Sequence, residues 1–180
     1  MSRSPRNNSP RRVAADTPVV VNGWAICCHP LFLDQFETLL GEVEALKAAD
    51  PKGYRNKKKT KLLAAIITMG FEIIPSNPAE RRFYQGNTLG ATYRHWHRGK
   101  FFDGRFRLFF RYSSAAKVIV LAWVNDSDTL RTYGSNTDAY AVFKKMLGKN
   151  RPPDDWDALL KEASSASKRQ QRILGNSRKA

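Results

Sequence analysis

The segment Gly104-Arg105-Phe106-Arg107-Leu108-Phe109-Phe110-Arg111-Tyr112 alternates charged and apolar side chains with a period of two. That period predicts a β-strand with Phe106, Leu108, Phe110 and Tyr112 on one face and Arg105, Arg107, Phe109 and Arg111 on the other. Guanidinium groups stacked along one face repel each other unless an anion sits among them. The planar fork of Arg matches phosphate geometry, so this face is a candidate phosphate site. The alternative is the solvated face of an antiparallel sheet. Just upstream, His95-Trp96-His97-Arg98-Gly99-Lys100 places Arg98 and Lys100 on one face and the two histidines on the opposite one. The His-x-His spacing suits a metal, but two ligands make no site and no third is close in sequence. Imidazoles hydrogen-bonded near a sheet surface are the plainer account.

These residue types are sufficient for RNA cleavage without a metal. The neighbouring 2′-hydroxyl supplies the nucleophile, and the protein must align it and neutralise the equatorial phosphate oxygens. Arg and Lys supply charge, while His, Tyr or Lys can move protons. A two-metal nuclease would instead need clustered Asp and Glu, and residues 81–117 hold nine Lys or Arg and one acid, Asp103. No Gly-rich phosphate loop precedes a helix, and there is no Gly-x-Ser-x-Gly elbow. Two other readings compete. A non-catalytic basic RNA- or DNA-binding module would more often interleave exposed aromatics with its cations; here the aromatics mainly take the opposite face. A surface that only docks an acidic partner would suit the run Lys57, Lys58, Lys59 and Lys61. Those cations start a predicted helix against its macrodipole, a cost that hints at a facing anion unless the run is a solvated face.

The elements that must position this chemistry follow from the rest of the pattern. A chain of 180 residues, 42% hydrophobic, with net charge +15 is one domain with basic tails, of a kind that meets nucleic acid, acidic proteins or membrane surfaces. Residues 1–18 and 164–180 are rich in Ser and basic residues and are expected to be disordered, leaving 19–163 as the folded unit. Val19-Val20-Val21 opens it, and Asn22-Gly23-Trp24 reads as a turn. Pro30 suits the first turn of a helix reaching about Ala49. A second helix is expected over about 56–74, then a polar connection over 79–93. An antiparallel meander follows: about 94–102, a turn at Asp103-Gly104, 105–113, and 118–125, the last apolar on both faces. A short strand or extended turn is expected over 128–133, then a helix capped by Asn136 or Thr137 and a short amphipathic segment around Trp156. The fold class is therefore α+β. Adjacent Cys27 and Cys28 are poorly placed to bridge and suit a reduced cytoplasm. No secretory signal or membrane-length apolar run is visible.

Asn22-Gly23-Trp24, the helix from Pro30, the strand Gly104–Tyr112, Trp123-Val124-Asn125-Asp126, Thr129-Leu130-Arg131-Thr132-Tyr133-Gly134 and Thr137-Asp138-Ala139-Tyr140 together resemble the YhaV toxin family over about residues 21–160. The basic Ser-rich tails depart from it. That family is similar to the RelE group, which implies a RelE-like fold: an N-terminal helical pair, an antiparallel sheet and C-terminal helices. The resemblance further implies an mRNA-cleaving toxin, acting on free or ribosome-bound message. Its implied partners are a PrlF-type antitoxin and, through the complex, operator DNA; no cofactor is implied. Residue by residue, it implies that Arg107 holds the scissile phosphate and that Arg131 makes a second phosphate contact. Tyr140 stacks on a base or helps move the 2′-hydroxyl proton, and Arg98 and Lys100 complete the catalytic set. Arg98 stands where the RelE group has Lys. An Arg stays protonated and is a poor base, so Lys100, Tyr140 or a histidine must serve. Arg94, Arg105, Arg111 and His97 are the expected further RNA contacts.

Overall fold

A computed structural model describes residues 18–177. Strand β1 (Val19–Val21) turns through Asn22 and Gly23, both at positive φ, into β2 (Trp24–Cys28). Helix α1 spans Pro30–Ala49, as the apolar spacing after Pro30 leads one to expect. His29 caps it: its Nδ1 accepts the Leu31 amide at 3.2 Å, one of the donors a helix start leaves unpaired. Helix α2 (Lys58–Thr68) continues through a π-helical turn at Met69–Ile73 into α3 (Ile74–Ser76). Two of the four lysines in the Lys57–Lys61 run face intramolecular anions: Lys59 Nζ lies 2.5 Å from Glu42 on α1 and Lys57 Nζ 3.7 Å from Asp50.

Strands β3 (His97–Phe101), β4 (Phe106–Ser113) and β5 (Val118–Val124) form the expected antiparallel meander. The sheet as a whole is mixed. Its order is β1-β2-β5-β4-β3, and β2 runs parallel to β5. An all-antiparallel sheet was the expectation. It fails because β2 is only five residues long and its partner lies about ninety residues away in sequence, so nothing local sets its direction. The helices α1 and α2 therefore follow two strands. Strand β3 is also shorter than expected, because residues 91–93 form a 3₁₀ turn and Trp96 bonds back to Tyr93.

Helices α4 (Ala139–Gly148), α5 (Trp156–Ser165) and α6 (Ser167–Ser177) complete the described chain. Two cores result, one on each sheet face. Leu108 and Phe110 pack with Phe32, Phe36 and Val43 of α1 and Leu63 and Ile66 of α2. Phe109 packs with Trp96, Trp123, Tyr140, Phe143 and Leu159 beneath α4 and α5. The Arg-bearing face is thus covered, not solvated. A register shift opposite Phe109 and Phe110 adds one residue to β5, which directs both Leu121 and Val124 to the first core and Ala122 and Trp123 to the second.

The basic tail expected over 164–180 is helical through Ser177. Gln170 and Ile173 are buried, and the Gln170 side chain bonds two backbone groups of β2. Its Oε1 accepts the Cys28 amide and its Nε2 donates to the Ile26 carbonyl, both at 2.8 Å. Arg169 pairs with Asp34 and Glu37 of α1. The sequence shows polarity here but not the acidic face of α1 that receives it. The expected N-terminal tail lies, but for Pro18, outside the described residues. Residues 128–133, expected as a short strand or an extended turn, are a 3₁₀ turn (Ser127–Thr129) followed by loop.

Candidate active site

Arg107 stands near the start of β4, and its backbone is held from the side. Asn125, just past β5 and 1% exposed, accepts the Arg107 amide at 2.6 Å. Its own amide donates to the Arg107 carbonyl at 3.3 Å. The Asn125 side-chain nitrogen donates to the carbonyls of Arg105 and Thr129 at 3.0 and 2.9 Å. One buried amide therefore ties the β3–β4 hairpin to the loop carrying Arg131. Asp126 and Thr129 close the next turn with a reciprocal capping box.

Asp138, also buried, fixes the other side. It is the N-cap of α4, where Asn136 or Thr137 was expected. Its Oδ2 accepts the Tyr140 amide at 3.1 Å. Its Oδ1 accepts the Thr132 amide at 2.8 Å and the Arg131 guanidinium at 2.5 Å. Burial alone would raise the Asp138 carboxyl, but the Arg131 contact and the two backbone donors outweigh it and hold it below the ordinary carboxylate range. Burial likewise opposes the charge of Arg131, yet the bond to Asp138 raises its pKa further.

Between these anchors lies the Tyr140 ring. The Arg107 and Arg131 guanidinium carbons stand 5.1 and 5.0 Å from its centroid. Arg98 Nε donates to the Tyr140 hydroxyl at 2.8 Å, and Arg98 Nη1 donates to the Arg82 carbonyl at 2.6 Å. The edge of Tyr140 meets Phe109 at 5.6 Å and 88°. Lys100 lies opposite Arg107 in the β3–β4 register and is exposed. Gly104, at φ 73°, completes the hairpin. A Cβ there would lie 3.7 Å from Arg107 Nη2 and 3.9 Å from Lys100 Cδ, so the turn closes the space between the two cations. The Gly104 carbonyl accepts Arg107 Nη1, while Arg107 Nε is buried without a partner among the described residues. A cleft of about 420 Å³ opens beside Arg98 and Lys100, lined also by Arg81, Phe83 and Tyr84.

Arg98, Lys100, Arg107, Arg131 and Tyr140 thus come together. Four cations share one phenol and one carboxylate, Asp138, which favours an incoming anion. The four expected outer contacts are not part of this group. Arg105 is exposed on the hairpin, and it is its carbonyl that serves the site. Arg94 is exposed before β3 and bonds Asn87 at 2.7 Å. Arg111, at the far end of β4, is clamped between Trp96 and Trp156 (5.6 and 5.4 Å) and donates to the Asp154 carbonyl. It holds α5 to the sheet. His97 faces the opposite core, against Tyr112 at 5.0 Å and Tyr84 at 5.2 Å. Burial first, then the charges of His95, Arg111 and Arg98, push it down to about 4. His95 bonds Asp154 at 2.6 Å, beside Arg111. Asn125 and Asp138 were not on the expected list. Their signals were an Asn ending an apolar strand and an Asp two residues before Tyr140.

No described helix is long and apolar enough to cross a membrane. Residues 26–164 match the family Toxin_YhaV, described as a toxin with endonuclease activity, of toxin-antitoxin system. The chain is 50% identical over 148 residues to the ribonuclease toxin YhaV of Escherichia coli K12, covering 82% of this chain and 96% of that protein. It is 49% identical over 152 residues to toxin YhaV of Escherichia coli O6:H1, covering 84% and 99%. No solved structure matches it significantly. With a family match over most of its length, and with relatives matched almost end to end, this chain belongs to the YhaV family of toxins.

Proposed function

We propose that this protein is a RelE-like endoribonuclease toxin that cleaves mRNA by attack of a 2′-hydroxyl on the adjacent phosphate, without a metal, in the cytoplasm. The observation that carries the reading is the grouping of Arg107 and Arg131 on the Tyr140 ring, with Arg98 on the phenol hydroxyl. The name of the K12 relative supports RNA as the substrate. Arg107 and Arg131 neutralise the phosphate oxygens as charge develops, at no cost of reorganisation, because Asn125 and Asp138 already hold them. Arg98 donates to the Tyr140 oxygen, which leaves the phenol its own proton to give. His97 lies on the other face of the sheet, and His95 is held at Asp154 beside Arg111, at the far end of β4 from Arg107. Proton transfer therefore falls to Lys100 and Tyr140. Among the described residues no three His, Cys, Asp or Glu side chains gather as a metal site would need. The toxin domain expected over 19–163 is extended by α6, whose Ile173 joins the first core, and it is neutralised by a PrlF-type antitoxin whose complex binds operator DNA.

The test is cleavage of labelled RNA, free and on ribosomes, in excess chelator. Cleavage should persist, and RNA lacking 2′-hydroxyls should resist. Activity that vanished in chelator and returned with a divalent ion would overturn the mechanism.

A further inference from the structure

Tyr133 has the most exposed large aromatic side chain among the described residues, at 85%. Neither core includes it. It nevertheless sits on a held stretch of loop. The Thr132 amide donates to Asp138, the Thr132 hydroxyl to the Leu130 carbonyl, and the Ser135 amide to the Thr132 carbonyl. The guanidinium carbon of Arg131 lies 3.8 Å from the Tyr133 ring centroid. This is the same guanidinium that faces Tyr140 and bonds Asp138. A flat apolar surface is thus kept in water and fixed next to a candidate phosphate contact. Tyr140 offers no such surface, being 5% exposed with its ring packed between arginines and Phe109.

Resting on the ribonuclease reading, we propose that Tyr133 is the platform on which a nucleobase of the RNA substrate stacks, next to the phosphate held by Arg107 and Arg131. Stacking asks only for a π face, which every base has, and a Tyr ring offers that surface with few side-chain torsions to freeze. Arg131 on one side of the ring and a base on the other make a continuous stack. Arg131 would then serve two neighbouring groups of the same strand, phosphate by charge and base through the tyrosine.

The probe is a short RNA with 2′-O-methyl groups throughout, so that it cannot be cleaved by the proposed route, carrying a fluorescent 2-aminopurine. Wild-type protein should bind it and quench the fluorophore at one position. Tyr133→Phe should keep both properties. Tyr133→Ala should lose the quench and weaken binding roughly 5- to 150-fold. The salt dependence should not change, because no phosphate contact is removed, and the melting temperature should stay as in wild type. Arg131→Gln should instead lower the salt slope. Wild-type quenching and affinity in Tyr133→Ala would overturn the proposal while leaving the ribonuclease reading intact. Equal loss in the Phe and Ala variants would also overturn it, by assigning the contact to the hydroxyl. A wild-type protein that neither bound this RNA nor cleaved its all-ribose counterpart would overturn both readings.

Discussion

Arg107 is 4% exposed; of its guanidinium nitrogens, Nη1 bonds the Gly104 carbonyl while Nε is buried without a partner among the described residues. An Arg buried with donors to spare is costly by itself, and a substrate phosphate would relieve that cost. Arg107→Ala should therefore lose about 100- to 1000-fold in cleavage rate, equal to roughly 2.7–4 kcal/mol of transition-state stabilisation. Circular dichroism should show the fold retained. Tyr140 separates two roles. Its ring packs in the second core, so Tyr140→Ala should destabilise by about 3–5 kcal/mol. Tyr140→Phe keeps the ring and removes only the hydroxyl that Arg98 holds. It should stay folded yet lose about 100-fold or more in rate if the phenol moves a proton. Wild-type rates in Tyr140→Phe would shift proton transfer to Lys100.

At the scale of elements, the site depends on how close α2 comes to the edge of the sheet. Gly99 on β3 lies where any Cβ would strike the Met69 side chain in the π turn. Gly99→Ala should cost about 1–3 kcal/mol by overpacking, read as a lower denaturation midpoint with an unchanged slope. Because Arg98 and Lys100 flank that glycine, the rate should fall as well. The α4 cap tests a different link. Asp138→Asn keeps a good N-cap residue but removes the negative charge that orients Arg131. Stability should fall by less than in Asp138→Ala, while both variants should lose activity. An active Asp138→Asn protein would show that Arg131 needs no such partner.

For the whole molecule, pH and salt are the informative variables. His97 titrates at about 4 in the fold against an ordinary 6.5. His29, capping α1 and bonded to Glu162 at 2.7 Å, is also held below its ordinary value, mainly by burial. Between those values the unfolded chain binds protons that the fold refuses. Stability is therefore complete above about pH 6.5 and falls as pH drops toward 4. Melting temperature should decline through that window, and His97→Phe should flatten the decline. The net charge of +15 predicts that an acidic antitoxin associates quickly at low salt and more slowly as salt rises. Complex formation should protect Lys100 from amine-selective labelling if the antitoxin covers the site; unchanged labelling would place it elsewhere.

Much was legible from local pattern. Period-two alternation located β4 and its two faces, apolar spacing after Pro30 located α1, and matching motifs pointed to the family. These are properties of neighbouring residues, which the backbone period alone relates. Burial and pairing are not local, and there only the tertiary structure decided. Whether the Arg face met water or α4 depended on chain returning from thirty residues away. The direction of β2 depended on β5, and the fate of the C-terminal tail on Asp34, Glu37 and two backbone groups of β2. The same holds for Arg111 and Arg107. They share one strand face and one residue type, yet two tryptophans and Asp154 immobilise the first, while Asn125 and Tyr140 leave the second with donors to offer.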